Sequence, residues 1–363
     1  MALSRRRLLV ALPAASIGFG QSGGKGRVFP SEMKRYADPA TEFPVIRITN
    51  PAHTSILPGP LARGISKHGF LVYASDVSGK FEAYRVDLKS GQQKQLTEAK
   101  SLDPHSLTLM PDDRSIAYFD GPSLVVASLA ALHTREVFRA PENFSFGRGL
   151  AVADDGLFFA AVLRSKEHFQ LRLISAAKGS DETIAEADEE ISDPSPRPRR
   201  AAVMYRKGDA IWLANYDGKQ NYRLRTTQGE TGPAQWSPDG RSIFYLNYPE
   251  DRHKLHSLRE FVPDTNSDNS LADTSQFVSF GRNADASVFT GASQSKASPY
   301  LLLLVRSVRR ELTLCEHRAS DPAAVSPVFS PNSQRVFFSS DRHGKQAIYS
   351  IAVEKLVEET TTA

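Results

Sequence analysis

Arginine and histidine side chains carry most of the chemistry this chain offers. A planar guanidinium grips a carboxylate through two parallel hydrogen bonds, and an imidazole titrates near neutral pH. Four such residues share a local setting, each just ahead of a turn or strand signal. They are Arg63 in Leu61-Ala62-Arg63-Gly64-Ile65, His105 in Asp103-Pro104-His105-Ser106-Leu107, Arg148 in Phe146-Gly147-Arg148-Gly149-Leu150 and Arg197 in Ser195-Pro196-Arg197-Pro198. Their bland readings are rim charges for Arg63 and Arg148, a turn histidine for His105 and a solvated loop for Arg197. His253 and His256, flanking Lys254-Leu255, form a weak metal pair at best, and His343 reads as a structural turn residue. The single cysteine, Cys315, rules out an internal disulfide and any cysteine metal cluster. Its neighbours Glu311-Leu312-Thr313-Leu314 read as strand, so a buried, inert thiol is expected.

What positions these residues is a repeat. Ser330-Pro331-Asn332-Ser333 is a turn, followed by the β-branched and aromatic run Val336-Phe337-Phe338, a second turn Asp341-Arg342-His343-Gly344 and the strand Ala347 to Ile351. Such a hairpin cannot bury both faces alone. Copies occur at Trp236-Ser237-Pro238-Asp239-Gly240, Met110-Pro111-Asp112-Asp113, Ser66-Lys67-His68-Gly69, Asp154-Asp155-Gly156 and Asn283-Ala284-Asp285, with the poorest near Arg199-Arg200. Turn centres fall near 69, 113, 156, 200, 240, 286 and 333, about one blade length apart. Seven turns predict a seven-bladed β-propeller of four-stranded antiparallel blades over residues 36–356. The last blade has only about three strands of its own, so the segment around Val45-Ile46-Arg47 is expected to complete it and close the ring. Residues 182–190 and 262–275 are acidic or rich in Asn, Asp, Ser and Thr, and read as surface loops. The innermost strands start at one face of the central channel. Arg63, His105, Arg148 and Arg197 are therefore expected to converge there as a cationic funnel for an anionic ligand.

The 363 residues are 40% hydrophobic, with a formal net charge of +4 spread through the chain, enough to bury one large core. No Lys/Arg run interleaved with aromatics points to nucleic acid. Ser4-Arg5-Arg6-Arg7-Leu8-Leu9 resembles a twin-arginine export signal, and the apolar stretch from Leu8 to Phe19 is too short for a membrane span. An ordinary Sec signal is the alternative. Residues 1–26 are read as signal and linker, 357–363 as a disordered tail, and the location as periplasmic or secreted. The chain shows no Gly-x-Ser-x-Gly elbow, which argues against a peptidase that merely carries a propeller.

The blade pattern, the segment Tyr84-Arg85-Val86-Asp87-Leu88 with Gln95-Leu96-Thr97, and the Ser-Asp-x-x-Gly-Lys endings resemble oligogalacturonate lyases over about Tyr36 to Val353, and TolB-type propellers more loosely. The resemblance implies a seven-bladed propeller that cleaves short pectin fragments by β-elimination, with a histidine base and a Mn²⁺-type metal. A base must take the proton α to the uronate carboxylate while a cation neutralises the growing enolate charge. Here Pro233 stands at the position of the base, and Ser279, Ala324 and Ser326 stand at the metal-histidine positions. Arg197 matches the arginine that faces the sugar acid, and Arg63 a position that is often basic. No metal cofactor is expected.

Three readings remain from the sequence. One is a propeller that binds oligogalacturonate or a related anionic sugar without turning it over, through Arg197, Arg63, Arg148 and His105. Another is an active lyase with a rewired site, for which Tyr36, Tyr245 and Tyr248 are available. The third is a TolB-like scaffold that holds an envelope protein partner in the channel.

Overall fold

The computed structural model describes residues 24–166, 168–251, 253–354 and 356. The twin-arginine-type segment and the expected tail lie outside them. Seven antiparallel sheets follow one another along the chain and form a seven-bladed propeller. The first strand of each blade is innermost: Ser55–Ile56, Thr108–Leu109, Ser145–Val152, Ile191–Pro196, Glu230–Trp236, Phe277–Arg282 and Val328–Phe329. Residues from the ends of these strands, or just beyond them, line one cavity on the axis.

The turns form where turn chemistry marked them. In the fifth blade, Ser237 Oγ donates to Asp239 Oδ1 (2.7 Å), and Ser242 N and Arg241 N donate back to Ser237 Oγ and Asp239 Oδ1. The seventh blade repeats this with Ser330 and Asn332, where Ser330 Oγ donates to Asn332 Oδ1 at 2.7 Å. Gly240 is required in its turn: φ is +70°, and a Cβ there would sit 2.3 Å from Pro198 O of the preceding blade.

Second strands are buried on both faces because each blade is sandwiched between two others. Phe70–Ser75 is buried throughout, and Val336, Phe337 and Phe338 are fully enclosed. Outer strands meet solvent, and Asn221–Arg223 is exposed throughout.

Outer strands also correct two expectations. Residues 182–187 of the expected loop are strand, because Asp181–Ala187 is the outer strand of the third blade, paired with His168–Ser175. Residues 262–275 likewise contain Ser267–Thr274, the outer strand of the fifth blade, paired with His256–Val262. Polar composition suits a strand with one solvated edge, and cross-strand pairs Arg172–Asp181 (2.9 Å) and Arg259–Asp268 (3.0 Å) use it.

Strand pairing begins at Val28–Phe29, which adds a fifth strand to the first blade beside Gln93–Gln95. Pro44–Arg47 pairs antiparallel with Ala347–Ala352, and Lys34–Ala37 lies outside it, so the seventh sheet also has five strands. Cys315 is fully buried in this region, and burial pushes its thiol pKa up.

Candidate functional site

Four consecutive innermost strands break their ladder. The shifts fall between Phe146 and Leu150, Ser192 and Ser195, Thr231 and Ala234, and Phe277 and Ser279. Bulges re-aim side chains and are common beside functional sites. The sequence supplies what bulges need: Gly147-Arg148-Gly149, Asp193-Pro194 and Gly232-Pro233 each place Gly or Pro inside a strand. Gly149 has φ +108°, and a Cβ there would meet Pro194 Cδ at 2.5 Å, so glycine lets the third and fourth bulges touch.

Contacts run from bulge to bulge. Arg148 Nε lies 3.2 Å from Asp193 Oδ1, with the arginine side chain 72% exposed. Arg206, on the second strand of the fourth blade, donates to Gly232 O (2.8 Å) and Thr231 O (2.6 Å) of the fifth. Tyr248 packs against Gly232 and donates to Val278 O of the sixth at 3.4 Å. His256 lies under the Tyr248 ring (centroids 4.4 Å apart), its Nδ1 2.8 Å from Phe277 O. Ser279 Oγ donates to Pro322 O at 3.2 Å, carrying the chain of contacts to the segment before the seventh blade. These bulges form a partial ring around the channel, with one exposed guanidinium on it.

The four expected ligand residues do not converge. Arg148 stands on the bulge ring. His105 is exposed ahead of the second innermost strand, its backbone N–H on Asp103 Oδ1. Arg63 and Arg197 lie at the opposite, turn-bearing end. After the excursion Pro58–Ala62, Arg63 spends Nη1 on Met110 O (2.7 Å) and Nη2 on Asp113 Oδ1 (2.9 Å). Arg197 is buried over the Trp236 ring, with Nε on Gly240 O (2.7 Å) and Nη2 on Asp264 Oδ1 (3.0 Å). Turn acids thus absorb two of the three guanidinium groups. Arg206 carried no signal in the sequence, and Tyr248 stood out only as one of three available tyrosines, although Gly and Pro inside strand patterns marked the bulges they serve.

The positions that the resemblance matches to metal histidines offer poor donors. Ser279 already donates to a carbonyl, Ala324 is an exposed methyl within the 3-10 turn Pro322–Val325, and Ser326 follows it in the left-handed region, its Oγ 3.4 Å from Ala323 O. Among the described residues no group of three or more His, Cys, Asp or Glu is placed to hold a metal. This donor set does not fit Mn²⁺. Nor do the tyrosines supply a ready base. Tyr245 is enclosed and donates to Asp268 Oδ2, Tyr36 lies on the outermost strand of the seventh blade, and burial pushes all three phenol pKa values of Tyr36, Tyr245 and Tyr248 up.

Fold and bulge ring together define a seven-bladed propeller with a bulge-lined channel mouth. An oligogalacturonate lyase solved in complex with manganese overlays on 91% of this chain and 98% of its own, with TM-score 0.86 and 21% identity. No protein-family model matches the chain. In sequence it is 23% identical to the oligogalacturonide lyase of Pectobacterium atrosepticum and 22% identical to the oligogalacturonate lyase of Dickeya dadantii, each over 90% of this chain and 97% of the relative. The chain is thus similar to oligogalacturonate lyases over nearly its whole length.

Proposed function

We propose that this propeller binds oligogalacturonate or a related anionic sugar at the bulge-lined mouth of its channel, and that metal-dependent β-elimination is not its activity. The observation that carries the reading is Arg148, an exposed guanidinium on the bulge ring held by one carboxylate, which a uronate carboxylate can replace or share. Whole-length likeness to oligogalacturonate lyases supports the ligand class. The serine and alanine at the metal positions support binding without turnover. His105 is a second candidate contact on the same side. Arg63 and Arg197 serve instead as braces between neighbouring turns. The twin-arginine-type segment supports export, and no helix among the described residues is long and apolar enough to cross a membrane.

Calorimetric titration with oligogalacturonates, with and without Mn²⁺, tests this, run beside Arg148→Ala. The expected result is metal-independent binding weakened in the variant. Unsaturated product appearing from digalacturonate would replace the reading with an active lyase. Absence of sugar binding together with capture of an envelope protein would replace it with a scaffold.

A further inference from the structure

The axial cavity lies at the turn-bearing end of the channel, about 340 Å³ in volume, and the sugar site does not use it. Pro60, Pro196, Pro198, Pro331, Trp236 and Phe329 give apolar side chains to a wall that is on balance more polar than apolar. Three charged side chains reach it: Arg63, Asp154 and Arg282. Around this mouth, Arg63 is paired with Asp113 (2.9 Å), Arg197 and Arg200 with Asp264 (both 3.0 Å) and Arg241 with Asp239 (3.5 Å). Arg282 differs. Its Nε donates to Trp236 O (2.7 Å) and its Nη1 to Asn283 O (3.3 Å), both neutral, and no ion-pair partner or Nη2 acceptor is present among the described residues. Burial pushes the Arg282 pKa down against the opposing fields of Asp154 and Asp239, neither of which makes an ion-pair contact with it. Asp154 is exposed on the same wall, and its field favours the Arg282 charge without an ion-pair contact.

We propose that this cavity is a binding site for a small monocarboxylate with an apolar body, its carboxylate taken by Arg282. Two carbonyls fix the guanidinium, so its Nη2 edge is presented without a rotamer cost on binding. Trp236, Phe329 and the prolines give the ligand's body apolar side chains to pack against. Asp154 opposes the ligand's charge and sets the affinity below what Arg282 alone would give. The site stands apart from the sugar reading, which concerns the other mouth.

The chain has two tryptophans, Trp212 and Trp236. In a Trp212→Phe background, emission from Trp236 reports on the cavity wall directly. Titration with cyclohexanecarboxylate is expected to give a saturable shift, and uncharged cyclohexylmethanol none. Arg282→Gln should weaken the carboxylate at least tenfold, and Asp154→Asn should tighten it severalfold. No saturable shift, an equal response to the alcohol, or an affinity indifferent to both variants would overturn the proposal. Should Arg282→Gln fail to fold, the exposed Asp154→Asn arm decides: tightening supports the site, and unchanged or weaker binding overturns it.

Discussion

Arg148 of the third blade and Asp193 of the fourth meet across two strand bulges, Nε to Oδ1 at 3.2 Å, with the arginine mostly in water. An exposed pair of this kind contributes at most about 1 kcal/mol to stability. Arg148→Ala should therefore leave the melting temperature nearly unchanged while oligogalacturonate affinity falls. Asp193→Asn should do the opposite to affinity, because it frees the guanidinium from its internal competitor. Calorimetry and thermal unfolding on both variants check the pair.

Manganese provides a second check. If Ser279, Ala324 and Ser326 stand where the resemblance puts the metal histidines, Mn²⁺ should shift neither the melting temperature nor the sugar affinity. A ligand-dependent stabilisation on adding Mn²⁺ would reveal a donor set elsewhere.

Asp113 should behave quite differently from Asp193. It is buried, and it accepts from Arg63 Nη2 (2.9 Å), Ser66 Oγ (2.7 Å) and Lys67 N (3.0 Å), tying the first turn to the second. Asp113→Ala removes all three bonds and leaves a partly buried guanidinium unpaired, a loss of about 3 kcal/mol. Denaturant unfolding measures it, and a change below about 1 kcal/mol would mean the brace is decorative.

His317 predicts the acid limit of the fold. Its Nδ1 accepts from Ala319 N (3.1 Å) and its Nε2 donates to Ser293 O (2.9 Å), so the ring is neutral when folded. Burial, with Arg342 nearby, holds its pKa below 6.5. The unfolded chain then binds the extra proton first. Stability should fall as pH drops from about 6.5 toward the lowered folded value, and this contribution should stay flat above about 6.5. A His317→Gln variant should lose that part of the pH dependence in thermal scans.

Removing residues before Asn50 deletes Val28–Phe29, Lys34–Ala37 and Pro44–Arg47 from two sheets. A marked drop in melting temperature is expected, and an unchanged one would make those strands dispensable.

The blades were legible because their turns are local. Ser237, Asp239 and Gly240 satisfy one another within four residues, so turn chemistry alone reveals them. Polarity misled at Asp181–Ala187 and Ser267–Thr274, since an outer strand with a solvated edge has the composition of a loop. The site was harder, because its partners come from other blades. Nothing near Arg197 in sequence announces Asp264, 67 residues away, and nothing near Arg63 announces Asp113, 50 residues away. A guanidinium placed near the axis is free or spent depending on the neighbouring blade's turn.

The pairing of Val45 with Ile351 has a consequence for how the molecule comes to exist. Of all the sheets it joins residues farthest apart in sequence, so the entropy of bringing them together is spent before any contact repays it. During synthesis the early strands must wait, edge exposed, until the last blade has emerged. That pairing is therefore expected to form late and slowly, with the strand edge unpaired until then.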